Sequence, residues 1–521
     1  MRRLQHHKKI ILLSAILIFF FINPTVAANE VALSPANGAT NINPDTHLEL
    51  TFNSAPSLGS SGQIRIYDAS NDRLVDLLDV SIPAGPTTGD TTKGATYTPV
   101  PYEYVQGKFT NANTKPGTPS GVALPTLGNY QLTIIGGFTD GFHFYPVIIR
   151  GNKATIYLHN NLLEYGKSYY VQIDQGVLTT KDGSFTGIGR KDWTFDTKAL
   201  APNVHSATFV VSANGDGDFS TVQGALDFIP DNNPNRVTIF IRNGDYEEIV
   251  YFRNKNNITI LGESRDSVVV HYANNEVFNP HPINLKTNEM EGTFPSRRAA
   301  FAVDHCKGIH LVNLTIKTTA KGQAEGLLIN GEEIIVSNVT IVGSGDALQT
   351  NGTAYFNNCR IVGDGDTVLG RGAAFFNRCE LLSYSTFMWI RNTEASHGNV
   401  FVGCRFINIG EAETELARCP TNHGKNYPHA EAVLLNCTLS GISPVGWGDI
   451  GGETSNIHYW EYNSMNRDKG FVDVSKRHPA SRQLTMEKDS ATIANYMNPA
   501  FVLGGWIPDT TIGASITPNF R

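Results

Sequence analysis

Two aspartates stand at matching places in a repeated phrase. Asp346 closes Gly343-Ser344-Gly345-Asp346, and Asp366 closes Gly363-Asp364-Gly365-Asp366. Each follows a small apolar position, Val339 or Cys359, by seven residues. If the phrase repeats in space as it does in sequence, the two carboxyls lie side by side. Like charges so close cannot both ionise freely, so one proton affinity rises while the other stays low. One carboxyl then suits a general acid and its neighbour a nucleophile or base. Two plainer uses stay open: turn aspartates following glycine, or, together with Asp364, a cation site. Turn chemistry explains one such Asp readily and a repeated pair less well.

The elements that must position this pair are short and repetitive. An apolar-x-apolar phrase framed by Asn returns as Asn257-Ile258-Thr259-Ile260, Asn313-Leu314-Thr315-Ile316, Asn338-Val339-Thr340-Ile341, Asn358-Cys359-Arg360-Ile361 and Asn436-Cys437-Thr438-Leu439. Cys379 and Cys404 occupy the same place in two variant copies, and from Leu314 the steps are 25, 20, 20, 25 and 33 residues. A β-rich period near 20 is the signature of a solenoid, and a right-handed parallel β-helix fits best. Rungs stack about 4.7–4.9 Å apart. Leu314, Val339, Cys359, Cys379, Cys404 and Cys437 would then form one inward ladder, with Cys acting as a small hydrophobe rather than a disulfide partner. The flanking Asn would bond along the stack. Before the repeats, Ser220 and Gln223 fit a capping box for a short helix that Pro230 stops.

The first half reads differently. From about residue 28 to 198, period-two runs (Leu48, Leu50, Phe52; Ile64, Ile66; Tyr169, Val171, Ile173) lie between Gly, Pro, Asn and Asp clusters. They indicate an antiparallel β-sandwich. Its opening Leu33-Ser34-Pro35-Ala36-Asn37-Gly38 and closing Trp193-Thr194-Phe195 resemble bacterial immunoglobulin-like modules, enlarged by an insertion around residues 92–151. Nothing catalytic stands out there; a spacer or weak polymer-binding role is expected. Residues 198–206 read as a linker, and 207–521 as the β-helix.

At the N-terminus, Arg2, Arg3, Lys8 and Lys9 precede an apolar run Ile10 to Ile22 and a small-residue exit, which reads as a signal peptide over residues 1–27. A secreted or periplasmic protein without stable membrane insertion is expected. The 521 residues carry 41 Lys and Arg against 48 Asp and Glu, a net charge of −7. An acidic balance argues against nucleic-acid binding, and 40% hydrophobic residues exclude wholesale disorder. Six Cys without a C-x-x-C pair disfavour a zinc knuckle or a redox site.

From about Phe209 to Pro508 the chain resembles the pectin methylesterases, carbohydrate esterases built on a right-handed parallel β-helix. The resemblance rests on the order of Gly215-Asp216-Gly217-Asp218-Phe219, Arg242-Asn243-Gly244-Asp245-Tyr246, Gln323-Ala324-Glu325-Gly326-Leu327, Gly343-Ser344-Gly345-Asp346-Ala347-Leu348, Gly365-Asp366-Thr367-Val368-Leu369-Gly370, Leu416-Ala417-Arg418-Cys419 and Pro444-Val445-Gly446-Trp447. It implies Asp366 as nucleophile, Asp346 as general acid/base, Gln323 as oxyanion donor, Arg418 as the partner of the nucleophilic carboxylate, and Trp447 as an aromatic that stacks on sugar. The implied substrate is methyl-esterified pectin (homogalacturonan) or its oligomers, attacked by a monomer without cofactor or metal. Departures fall at Gly345, where the family commonly has a second glutamine, and at Thr367, Leu369 and Pro420, where it is commonly aromatic. With Gly345 there, either a smaller oxyanion hole or one completed by a backbone N–H is expected.

Arg371, Trp389, Arg391, His397, His423 and His429 lie on nearby turns and could line a cleft. For the arginines, surface pairing competes with a substrate-carboxylate contact; for Trp389, the core competes with stacking. No H-E-x-x-H or G-x-S-x-G motif occurs. Rival readings are a β-helix glycoside hydrolase or lyase using the same carboxyls, or a glycan-binding solenoid without activity.

Overall fold

A computed structural model describes residues 31–86, 130–136, 142–279, 297–421, 424, 426–468 and 470–513. The expected signal peptide, most of the expected insertion and His423 lie outside the described residues.

The first unit is two sheets packed face to face. A four-stranded sheet runs in the order Ala32–Ser34, Leu48–Thr51, Lys153–Ile156, Val147–Arg150, and a five-stranded one in the order Ala39–Ile42, Ile188–Thr197, Ser168–Ile173, Gln63–Asp68, Arg73–Asp79. All pairings are antiparallel except that of Ile188–Thr197 with Ala39–Ile42. The alternating residues of the sequence point inward: Leu48, Leu50, Ile64, Ile66 and Val171 are wholly buried, around Trp193 and Phe195. The insertion ends earlier than expected, because Val147–Arg150 is itself a sandwich strand. Its described part forms the hairpin Leu132–Thr133 with Phe142–His143, which packs on the solenoid as well as bonding the sandwich loop at Asn160.

The second unit is a parallel β-helix. Three sheets of eleven, eight and six parallel strands run along it among the described residues. Side chains stack in register from rung to rung, as in Phe356, Phe376 and Phe401, whose rings follow at 4.5 Å. The corner between the eleven- and eight-stranded sheets explains the recurring Asn. Asn313, Asn338, Asn358, Arg378, Gly403 and Asn436 all sit there at φ between 52° and 62°, the left-handed region that Asn and Gly tolerate best. Some also bond along the stack, Asn338 Nδ2 donating to Asn313 Oδ1 at 2.8 Å. The next residues, Leu314, Val339, Cys359, Cys379, Cys404 and Cys437, turn inward with at most 1% exposure, and the cysteines are free thiols. The Asn257 phrase belongs elsewhere: Ile258–Gly262 is a strand of the eleven-stranded sheet, not the eight-stranded one.

Helix Val222–Phe228 closes the N-terminal end. Its N-cap is Thr221, whose hydroxyl accepts from Gly224 N at 3.0 Å, not Ser220. The Gln223 side chain is not a cap either; it is buried and bonds Asp227 and Tyr251. Helices Met486–Tyr496 and Pro499–Val502 cover the outer face of the eleven-stranded sheet through Ile493, Tyr496 and Val502.

Candidate functional site

The six-stranded sheet positions the carboxyls. Leu327, Leu348 and Val368 are aligned on three successive rungs, and the residue two places before each is Glu325, Asp346 and Asp366. Register therefore makes a ladder of three acids, one more than the repeated phrase shows. At rung spacing the middle one, Asp346, faces a like group on both sides.

The two ends of the ladder are neutralised by arginines. Arg418 Nη1 donates to Asp366 Oδ2 at 2.6 Å. Its backbone is pinned by Arg418 N to Met388 O at 3.0 Å and by the Tyr459 hydroxyl donating to Arg418 O at 3.3 Å. Arg298, in the segment leading into strand Phe301–Lys307, donates Nε to both Glu325 carboxylate oxygens at 2.8 and 2.9 Å. Its Nη2 reaches Asp346 Oδ2 and Glu325 Oε1, each at 2.7 Å, and its Nη1 reaches Glu276 Oε2 at 2.6 Å and Gln323 Oε1 at 3.0 Å. Burial alone would lower the Arg298 pKa, but Glu325, Asp346 and Glu276 hold it far above its usual value, so it stays a cation.

Asp346 has the opposite fate. Burial raises its pKa first of all, Glu325 and Asp366 add to this, and Arg298 and Arg391 oppose it, with a result of about 7. Asp366 also has φ 44°, a sparsely populated conformation for a residue with a Cβ and one that concentrates at working sites.

The arrangement offers a carboxylate held ionised beside a carboxyl that can carry a proton at neutral pH. Gln323 is exposed above them. A guanidinium has only donors, so the atom Gln323 turns to Arg298 must be its oxygen, which presents its amide N–H groups outward as donors. Gly345 explains the missing second amide. Its φ is 69°, and a Cβ there would lie 2.9 Å from Gly322 O, so glutamine at this place would be strained and crowded. Its own backbone N–H is not the donor that completes an oxyanion hole, because it donates to Asp364 Oδ2 at 3.3 Å. The same Asp364 oxygen takes the Ser344 hydroxyl at 2.8 Å.

The structure corrects several expected substrate contacts. Trp447 is wholly buried, stacked on Tyr459 at 4.6 Å with Nε1 donating to Glu461 at 3.2 Å, and presents no face to a sugar. It supports Tyr459, and so the backbone of Arg418, instead. Arg391 is 4% exposed, a buried cation over the Trp389 ring at 4.5 Å rather than an open arm. Trp389 is half-buried and also carries the Arg418 guanidinium at 4.4 Å. Arg371 follows strand Val368–Gly370, at the end away from Asp366. His397 belongs to the packing of the C-terminal helices, bonding Glu431 at 2.8 Å and meeting the Tyr496 and Phe501 rings. His429 is half-buried, its carbonyl accepting from Asn392 Nδ2 at 2.9 Å.

Sequence reasoning missed Arg298, Glu276 and the role of Glu325. The Arg297-Arg298 doublet ahead of the apolar run Ala299–Val303 is the one local signal for the first of these. A cavity of about 80 Å³ between the two units, lined by Asp45, His47, Tyr157 and Glu248 among others, shares no residue with the acid ladder.

The pectinesterase family model matches residues 208–504. The chain is 26% identical over 328 residues to Pectinesterase 4 of Arabidopsis thaliana, covering 59% of this chain and 53% of that protein. It is 28% identical over 315 residues to Pectinesterase QRT1 of the same plant, covering 57% and 77%. It thus spans about half the length of the first of these relatives. Among solved structures, a pectin methylesterase from carrot aligns with 61% of this chain and 98% of its own at 21% identity, with a TM-score of 0.49.

Proposed function

The chain belongs to the pectinesterase family, and on that premise we propose that it hydrolyses the methyl esters of galacturonate units in pectin or its oligomers, releasing methanol. The observation that carries the reading is the pairing of Asp366 with Arg418 at 2.6 Å beside a buried Asp346 whose pKa is near 7. An Asp366 oxygen attacks the ester carbonyl carbon, and the electron pair displaced onto the carbonyl oxygen is met by the Gln323 amide. The bond to the methoxy oxygen breaks, that oxygen takes the Asp346 proton, and methanol leaves. A mixed anhydride of Asp366 and galacturonate remains. Asp346, now a carboxylate, removes a proton from water as the water oxygen attacks the anhydride; Asp366 departs as carboxylate and the galacturonate is free. Arg418 stabilises the ionised nucleophile in both steps.

This chemistry uses no metal or organic cofactor. We further propose that the protein is exported, acts as a monomer, and carries the first unit as an immunoglobulin-like module. No helix among the described residues is long and apolar enough to cross a membrane. The test is a timed assay on esterified pectin. Methanol is expected to appear without new reducing ends and without unsaturated ends. New reducing ends with the esters intact would identify a glycoside hydrolase and overturn the reading; binding without turnover would identify a glycan-binding solenoid.

A further inference from the structure

Arg298 donates from all three of its nitrogens: Nε to both Glu325 oxygens, Nη1 to Glu276 and Gln323, and Nη2 to Asp346, with Nη2 also forming an ion pair with Glu325. Glu325 takes the largest share, both Nε and Nη2, and its side chain is wholly buried. One cation therefore stands between two neighbouring rungs and is spent chiefly on Glu325. We propose that Glu325, acting through Arg298, is a positioning residue that keeps the proton on Asp346 and so fixes which carboxyl of the ladder is the acid. The inference rests on the hydrolase reading given above and deepens it.

Geometry supports this in two ways. Glu325 and Asp346 occupy equivalent places on adjacent rungs, so the Glu325 charge opposes ionisation of Asp346 at a distance of about 5 Å. The forked contact to Glu325 also fixes the guanidinium plane, which orders the Gln323 oxygen and the Asp346 Oδ2 at the same time. The other charges facing Asp346 are Asp366 and Asp364 from the turn before Val368, Arg391 from the end of strand Met388–Ile390, and Arg418. Glu276 shares Arg298 with Asp346. Asp366 is paired with Arg418 and Asp364 with Ser344 and Gly345, which leaves Glu325 as the buried acid sharing a cation with Asp346.

The test is Glu325→Gln, which keeps the shape and removes the charge. Loss of a neighbouring negative charge and release of Arg298 toward Asp346 both lower the proton affinity of Asp346. The alkaline limb of the kcat/KM profile for methanol release should therefore move down by about one pH unit or more. That is about a tenfold loss near pH 8 with little change near pH 5 and an unchanged KM. Glu325→Asp should restore the limb toward wild type. In parallel, the carboxylic-acid C=O infrared band of Asp346, identified by its loss in Asp346→Asn, should disappear at lower pH in Glu325→Gln. Should that variant not fold, Glu276→Gln is expected to move both readouts in the same direction by less. An unmoved limb with uniformly lower kcat, an unmoved infrared band, or a shift upward overturns the proposal. Absence of methanol release by the wild type would instead refute the hydrolase reading, and the infrared titration would still decide whether Glu325 governs Asp346.

Discussion

At the scale of residues, two carboxyls of the same type are given opposite charges by their surroundings. Asp346 holds its proton up to about pH 7, against an ordinary value of 3.8, because burial and two flanking acids outweigh Arg298 and Arg391. Since that proton is the one given to methanol in the proposed mechanism, kcat/KM should fall as pH rises through about 7. The linkage has a consequence for stability as well. A carboxyl that binds its proton more tightly folded than unfolded stabilises the fold at low pH, and that contribution is lost as pH rises from 3.8 to about 7. Asp346→Asn should thus raise the melting temperature at pH 8, by the equivalent of about 1–3 kcal/mol, and should do little at pH 4; calorimetry at the two pH values checks this. Gln323→Ala should lower kcat about 10²–10³-fold with KM little changed, as expected for a donor used mainly in the transition state. The pair itself was legible in the sequence because both aspartates follow their inward residue by seven. Glu325 was not, for it lies eleven residues after Leu314; a longer turn shifts it out of the repeat, and only strand register brings it back into line.

At the scale of elements, corners rather than strands decide what the chain can carry. The αL corner fixes the recurring Asn, and the tight turn around Gly345 excludes the second amide that relatives of this kind were expected to show. Gly345→Gln is therefore expected to lose stability and activity together, not to gain an oxyanion donor; thermal unfolding and methanol release measured on one preparation test it. Under the C-terminal helices, Tyr496 meets a buried acid that two histidines also bond. Burial pushes the Glu431 pKa up, but hydrogen bonds from His397, His458 and Tyr496 outweigh it and bring it down to about 2. A depressed folded pKa contributes stability above the ordinary 4.5 that is lost as pH falls toward 2. Glu431→Gln should cost about 2–4 kcal/mol at pH 7, and the difference from wild type should narrow below pH 4.5. The repeats and the inward cysteine ladder were readable because period and residue type coincide there. Trp447 was misread because a Gly-Trp phrase on a turn says nothing of which way the ring faces, and Tyr459 and Glu461 take it inward.

At the scale of the whole molecule, the two units are built into each other. Asp45 of the sandwich accepts from Ser220 N and Thr221 N at 2.9 and 2.8 Å, at the start of the solenoid's first helix. Asp227, on that helix, accepts from Asn161 Nδ2 at 2.8 Å and Gly136 N at 3.3 Å. Gly136 approaches so closely that a Cβ would lie 1.6 Å from Tyr251 O. Phe142, wholly buried, carries the Arg297 guanidinium at 4.5 Å, one residue from Arg298. The division into a sandwich and a solenoid was legible from the change of period. Their docking was not, since the residues that join the units lie 66 to 176 positions apart in the chain. Phe142→Ala should cost about 3 kcal/mol or more and should lower turnover by loosening the segment that carries Arg298, although Phe142 is far from the acids in sequence. The most direct trial of the central claim is methanol release from esterified pectin by wild type, Asp366→Asn and Asp346→Asn, each shown to be folded. The account predicts a loss of about 10³-fold or more for the first variant and about 10²–10⁴-fold for the second; wild-type rates from either one would contradict it.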